Sequence, residues 1–186
     1  LLMDQVLVDF NSIGLLVNSA ANFMQKNLEE TSNSELLDTI NINLMAPFIL
    51  MREFKKKVDN GLIINILDER ILRRVPTFGA YSISKSALAH LTELSAVSWG
   101  ETVRVNGIAP GLILPPAGSS GEYLLEKAPN IPTKTHGNPS DILSGVDLIL
   151  ESTFVNGALL FIDGGESQKR VFRPRPNKLS WRMRRW

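Results

Sequence analysis

The sequence predicts an α/β fold built on an open parallel sheet, and three observations carry that prediction. Four short apolar runs, at 13–17, 62–67, 102–108 and 158–162, have the length and unbroken hydrophobicity of strands covered on both faces. Stretches with helical patterning lie between them, so strand and helix alternate along the chain. The chain has 186 residues, 44% hydrophobic and 21% charged, which suffices for one domain with a core.

The elements follow in order. Ile13-Gly14-Leu15-Leu16-Val17 forms the first strand. Ser32 with Glu35 makes a capping box that opens a helix running toward Val58. Pro47 inside it predicts a kink or a break. The second strand, 62–67, runs into Asp68, and residues 80–99 form a long helix rich in Ala, Ser and Leu. The third strand is followed by a Pro- and Gly-rich connection over 110–139. Such long connections are functional or mobile, and this one follows a strand end, where open α/β sheets bind ligands. Asn138-Pro139 supplies a cap and a first-turn proline for a third helix before the last strand. Right-handed crossovers are expected to place helices on both faces of the sheet.

Composition removes several chemistries. Without cysteine there is no disulfide scaffold, thiolate zinc site, iron–sulfur cluster or cysteine nucleophile. With only His90 and His136, a histidine metal site is not expected either. No apolar run approaches the roughly 18 residues of a membrane span, and the start lacks the layout of a secretory signal. A cytoplasmic location is the expectation. Residues 169–186 carry eight basic and no acidic side chains, which leaves 1–168 with 12 basic against 19 acidic, a formal −7. The chain thus divides into a globular body, 1–168, and a basic tail, 169–186, of disordered composition. Such a tail can contact nucleic acid or a membrane surface through Lys, Arg and Trp. The plainer reading is an extension without a binding role, so neither partner is expected.

The strongest local signal is Tyr81-Ser82-Ile83-Ser84-Lys85. Tyr and Lys four apart share one helix face, and an ammonium there is expected to lower the phenol's pKa toward working pH. Such a tyrosine exchanges protons with a carbonyl or imine. The spacing alone also fits an ordinary amphipathic pair. Around it stand Asn18-Ser19-Ala20-Ala21 after the first strand, Asn43 in the first long helix, and Asp68 after the second strand. Asn106-Gly107-Ile108-Ala109-Pro110-Gly111 ends the third strand, and Asp163-Gly164-Gly165 follows the fourth.

In that order these features resemble the short-chain dehydrogenase/reductase family over residues 1–167. The resemblance implies a Rossmann-like open parallel sheet with helices on both faces. The family's sheet order is 3-2-1-4-5-6-7; this chain matches strands 4-5-6-7, and no Gly-rich nucleotide turn precedes Asn18. The reading is therefore a domain reduced to its C-terminal half, with strand 13–17 as an exposed edge. By the resemblance Tyr81 and Lys85 are the catalytic pair, and Lys85 also holds the nicotinamide ribose. Asn43 supports a proton-relay water. Asn18, Ser19, Ala20, Pro110, Gly111 and Ile113 contact the cofactor. The family associates through the helices matching 33–58 and 80–99, which implies a homo-oligomer.

Asp68 departs from the serine most members carry there and resembles pteridine reductases and dihydromonapterin reductases. Phe23 matches the aromatic that stacks on the pterin in that subgroup; read alone, it is equally a loop or core aromatic. The resemblance implies an NADP(H)-dependent reductase of a dihydropterin-like substrate, with Tyr81 as proton donor. Two alternatives stand beside it: a general carbonyl or alcohol reductase, and a non-catalytic chain acting by association.

Overall fold

The computed structural model describes residues 2–73, 75–116, 118–120 and 122–169. The basic tail beyond Lys169 lies outside them. Four strands, β1 (Leu15–Asn18), β2 (Gly61–Ile66), β3 (Val103–Pro110) and β4 (Leu159–Ile162), form one sheet in the order β1-β2-β3-β4. All three pairings are parallel, with Leu15 opposite Leu62, Gly61 opposite Val103 and Gly107 opposite Leu159. β1 is an edge strand, as expected, and its Leu15 and Val17 are exposed.

The helices among the described residues are α1 (Leu2–Phe10), α2 (Asn33–Ile40), α3 (Ala46–Lys57), α4 (Gly79–Trp99), α5 (Tyr123–Lys127) and α6 (Pro139–Glu151). Ser32 caps α2 through the capping box with Glu35. The Asp141 carboxylate accepts from the Asn138 backbone N–H at 2.7 Å at the start of α6. Pro47 neither breaks nor stops the first long helix. Residues Asn41–Met45 form a π turn that joins α2 to α3, and Pro47 sits in the first turn beyond it. Proline lacks the N–H that an α turn needs, and the wider turn absorbs the loss.

Side chains alternate across the sheet. Ile63, Val103 and Val105 pack on Met3, Met51, Phe54 and Ala96, so α1, α3 and α4 share one face. Leu62, Ile64 and Ile108 pack on Ile142, Val146 and Ile149, so α6 covers the other. Gly145 lets α6 lie close: a Cβ there would stand 2.4 Å from Ile162 Cδ1. The faces correct the expectation about handedness. With strands added in one direction, crossovers of a single hand would put every helix on one face. α6 lies opposite α3 and α4, so the β3–β4 crossover has the opposite hand to the two before it. The long connection after β3 gives the chain room for this.

Candidate active site

The four parallel strands end on one side of the sheet, and the loops that follow them build a cavity of about 480 Å³. Phe23 comes from the loop after β1. Asp68, Glu69 and Arg70 follow β2, Gly111, Leu112 and Leu114 to Pro116 follow β3, and Glu166 follows β4. Tyr123 and Lys127 of α5 close the rim.

The loop after β1 is tied down at several points. The Asn43 side chain, fully buried in the π turn, accepts from the Asn22 backbone N–H at 2.7 Å and donates to the Asn22 carbonyl at 2.9 Å. It also donates to Ser84 Oγ on α4 at 3.0 Å. Gly79 N–H donates to the Lys26 carbonyl at 3.1 Å. These bonds set Phe23 edge-on to Tyr81, with ring centroids 4.8 Å apart, and 5.0 Å from Phe78.

Tyr81 and Lys85 stand on one face of α4, and both are buried. The Tyr81 hydroxyl donates to Asp68 Oδ2 at 2.9 Å. Lys85 Nζ donates to the Ile66 carbonyl at 2.7 Å and lies 5.9 Å from the Tyr81 ring centroid. The direction of the tyrosine shift corrects the sequence expectation. Burial, and after it the Asp68 carboxylate, push the phenol above its ordinary pKa. Burial lowers Lys85 to about 8. The group that opposes the rise is Arg70, and burial together with the Asp68 carboxylate outweighs it.

Asp68 itself caps the turn that follows it. Its Oδ1 accepts from the Arg70 backbone N–H at 2.8 Å, and Arg70 Nη1 lies 3.0 Å from both carboxylate oxygens. The guanidinium carbon stands 4.7 Å from the Phe78 ring centroid and 5.6 Å from that of Phe23. Glu69 is buried, and Arg73 Nη1 bridges its Oε1 at 3.2 Å to Glu166 Oε1 at 2.6 Å. Burial pushes the Glu69 carboxyl up to about 7.

The cofactor residues named from the sequence gather less tightly. Asn18 is buried at the end of β1 and donates to Asn65 Oδ1 at 2.8 Å, while Asn65 donates to Thr92 Oγ1 at 2.8 Å. Ser19 and Ala20 are exposed in the loop beyond. Pro110 ends β3, and Gly111 N–H donates to the Ile162 carbonyl at 3.0 Å. Ile113 turns away from the Phe23 cavity and lines a second one of about 460 Å³, with His136, Asp141 and Asp163. Sequence reasoning missed Arg70, Glu69, Phe78 and the Asn65–Thr92 pair. The position of Arg70 just after Asp68 was the one signal available for the first.

The family model for enoyl-(acyl carrier protein) reductase matches residues 1–167. An uncharacterized oxidoreductase of Thermotoga maritima is 33% identical over 172 residues, covering 85% of this chain and 68% of that relative. The chain is a short-chain dehydrogenase/reductase. The members of this family are NAD(P)-dependent oxidoreductases, and the fold agrees. Among solved structures, this short-chain dehydrogenase/reductase is similar to FolM alternative dihydrofolate reductase 1 from Brucella suis in complex with NADP. The TM-score is 0.86 and the identity 27%, over 91% of this chain and 70% of that one. It is also similar to 4-hydroxyisoleucine dehydrogenase complexed with NADH, with TM-score 0.79 and 31% identity over 91% and 75%. Among the described residues, no helix is long and apolar enough to cross a membrane.

Proposed function

We propose that the chain reduces a dihydropterin-like substrate with NADPH, and that Tyr81 supplies the proton. The observation that carries this reading is the Tyr81–Asp68 hydrogen bond of 2.9 Å, set beside the Phe23 ring at the wall of the cavity. The residues at the strand ends fit a nicotinamide cofactor. Lys85 has three donors and spends one on Ile66, and Ser19 and Ala20 are small and exposed, while Gly111 lets the Asp163 backbone close against the end of β3. In this reading Lys85, Asn18, Ser19, Ala20, Pro110, Gly111 and Ile113 hold the cofactor. When bound, it supplies the hydride.

The chain's own groups handle the proton. Burial and the Asp68 carboxylate raise the Tyr81 pKa, so the phenol holds its proton at neutral pH and releases it only to a nitrogen that turns basic as the reaction proceeds. With that hydride delivered to the carbon of a C=N bond, Tyr81 would give its proton to the nitrogen, and the phenolate left behind would lie near the Lys85 ammonium. Asp68 holds the hydroxyl in direction. Asn43 fixes the Phe23 loop against α4, and Phe23 stacks on the flat ring; an aromatic contact of this kind contributes about 0.5–1.5 kcal/mol.

The test is NADPH oxidation with a dihydropterin, beside a Tyr81→Phe variant. Turnover that survives the substitution overturns the assignment of the proton. NADH serving better than NADPH overturns the cofactor choice. A second reading, an alcohol dehydrogenase for a carboxylate-bearing substrate, draws on Lys127 at the cavity rim; turnover of hydroxy acids without turnover of pterins would select it. We also propose a homo-oligomer through the helices over 33–58 and 80–99. Ile42, Met45 and Ile49 on the first and Ile83, Leu94 and Val97 on the second are exposed. A monomeric mass by light scattering would refute it.

A further inference from the structure

The ring slot beside Phe23 already holds a planar group from the chain itself. The Arg70 guanidinium lies between the carboxylate of Asp68 and the faces of Phe78 and Phe23, and it lines the cavity with Asp68 and Phe23. A carboxylate offers about four acceptor sites. Here Oδ1 takes the Arg70 backbone N–H and Nη1, and Oδ2 takes the Tyr81 hydroxyl and the same Nη1. One guanidinium nitrogen is thus shared between two oxygens, a weaker arrangement than two parallel bonds. Its departure would free one site on each oxygen, next to an aromatic wall.

A second seat for Arg70 stands beside the first. Glu69 is 1% exposed, its Oε2 has no hydrogen-bond partner among the described residues, and its Oε1 lies 3.9 Å from Arg70 Nη1. A buried carboxylate oxygen without a donor is costly, so the chain gains by bringing one to it. Arg73 does not fill this need, because its Nη1 lies between Glu69 Oε1 and Glu166.

We propose that Arg70 is an internal occupant of the ligand slot. A planar ligand with two adjacent N–H donors, the edge of a ring-protonated aminopyrimidine or of a pterin lactam, displaces it from Asp68 onto Glu69. This deepens the pterin reading and rests on it, since such an edge belongs to that ligand class. Arg70 becomes a specificity-determining residue: only a ligand that gives Asp68 two straight hydrogen bonds and stacks on Phe23 repays moving it. Flat rings without the donor pair leave the guanidinium in place.

The probe is 2,4-diaminopyrimidine in its ring-protonated form, which carries the donor pair, titrated calorimetrically into the full chain without cofactor, so that binding is read apart from turnover. Arg70→Ala removes the occupant and should tighten binding about tenfold or more. Asp68→Asn should abolish it. Glu69→Gln removes the charge of the second seat. It should weaken binding several-fold when Arg70 is present and change nothing when it is combined with Arg70→Ala. Each variant's melting temperature and circular dichroism report folding, and Arg70→Lys, which keeps the charge but loses the planar stack, serves if the alanine variant unfolds. Unchanged or weaker binding by a folded position-70 variant overturns the proposal, as does an equal Glu69→Gln effect with and without Arg70. Loss of dihydropterin turnover with these binding effects intact would instead count against the reductase reading alone.

Discussion

Glu69 makes stability depend on pH in a window that can be stated in advance. The carboxyl is buried under the cavity floor with one oxygen on Arg73 and one oxygen unpartnered among the described residues. Burial raises its pKa from 4.5 to about 7; Arg73 opposes the rise and Glu166 adds to it. Between those two values the folded chain keeps a proton that the unfolded chain has released. Stability therefore falls as pH rises through the window, and above about 7 the full cost is in place. A rise of this size corresponds to about 3 kcal/mol. Glu69→Gln keeps the shape, cannot ionise, and leaves Arg73 paired with Glu166. Urea unfolding of both proteins at pH 5 and pH 8 checks the argument. The advantage of the glutamine variant over the parent should grow by about 2–3 kcal/mol between the two pH values. Curves that stay parallel would show that Glu69 ionises freely in the folded chain, and the reasoning from its burial would fail.

Four further outcomes are expected. Tyr81→Phe should lower turnover about 10²–10⁴-fold, the range of a positioned general acid, with little change in melting temperature. The rate should decline as pH rises through about 8, where Lys85 loses the charge that faces the departing proton; a kcat/KM profile shows this limb. Phe23→Ala should raise KM for a dihydropterin about two- to tenfold with a smaller effect on kcat, as steady-state kinetics will tell. Asn43→Ala leaves the Asn22 N–H and carbonyl without their partner and should cost about 2–4 kcal/mol in urea unfolding.

Much of the scaffold was legible because local signals and burial agreed. Continuous apolar runs marked all four strands, and the caps at Ser32 and Asn138 marked two helix starts. Tyr81, Lys85 and Asp68 were named and do come together, since a helix face and a strand end are fixed by short-range geometry. What escaped depends on contacts between distant segments. Phe78 stands by Phe23 because Lys26 bridges to it across the chain. Asn65 looks like one more strand residue, yet its side chain joins β1 to α4. The tyrosine shift runs against expectation because sequence shows the neighbouring ammonium and hides the burial of the whole group. The π turn was half visible: Pro47 announced a disturbance, and packing against α4 decided that the helix should widen instead of stopping.

The choice of aspartate at position 68 then has a physical consequence for the proposed proton transfer. A serine hydroxyl there could orient Tyr81 but would bring no charge to its side. A carboxylate at hydrogen-bond distance disfavours phenolate, so the tyrosine stays loaded with its proton. In reduction of a C=N bond the group must give up that proton, so the substrate nitrogen has to become basic enough, as the hydride arrives, to take it from a reluctant donor. The carboxylate needs a counter-charge in so buried a place, and Arg70 provides it by reaching between two aromatic rings. Burial and Asp68 raise the Tyr81 pKa while Arg70 opposes them, and the same guanidinium also fills the slot a flat substrate needs. Acid chemistry and ligand selection are two readings of one ion pair, and a change at Arg70 should alter both.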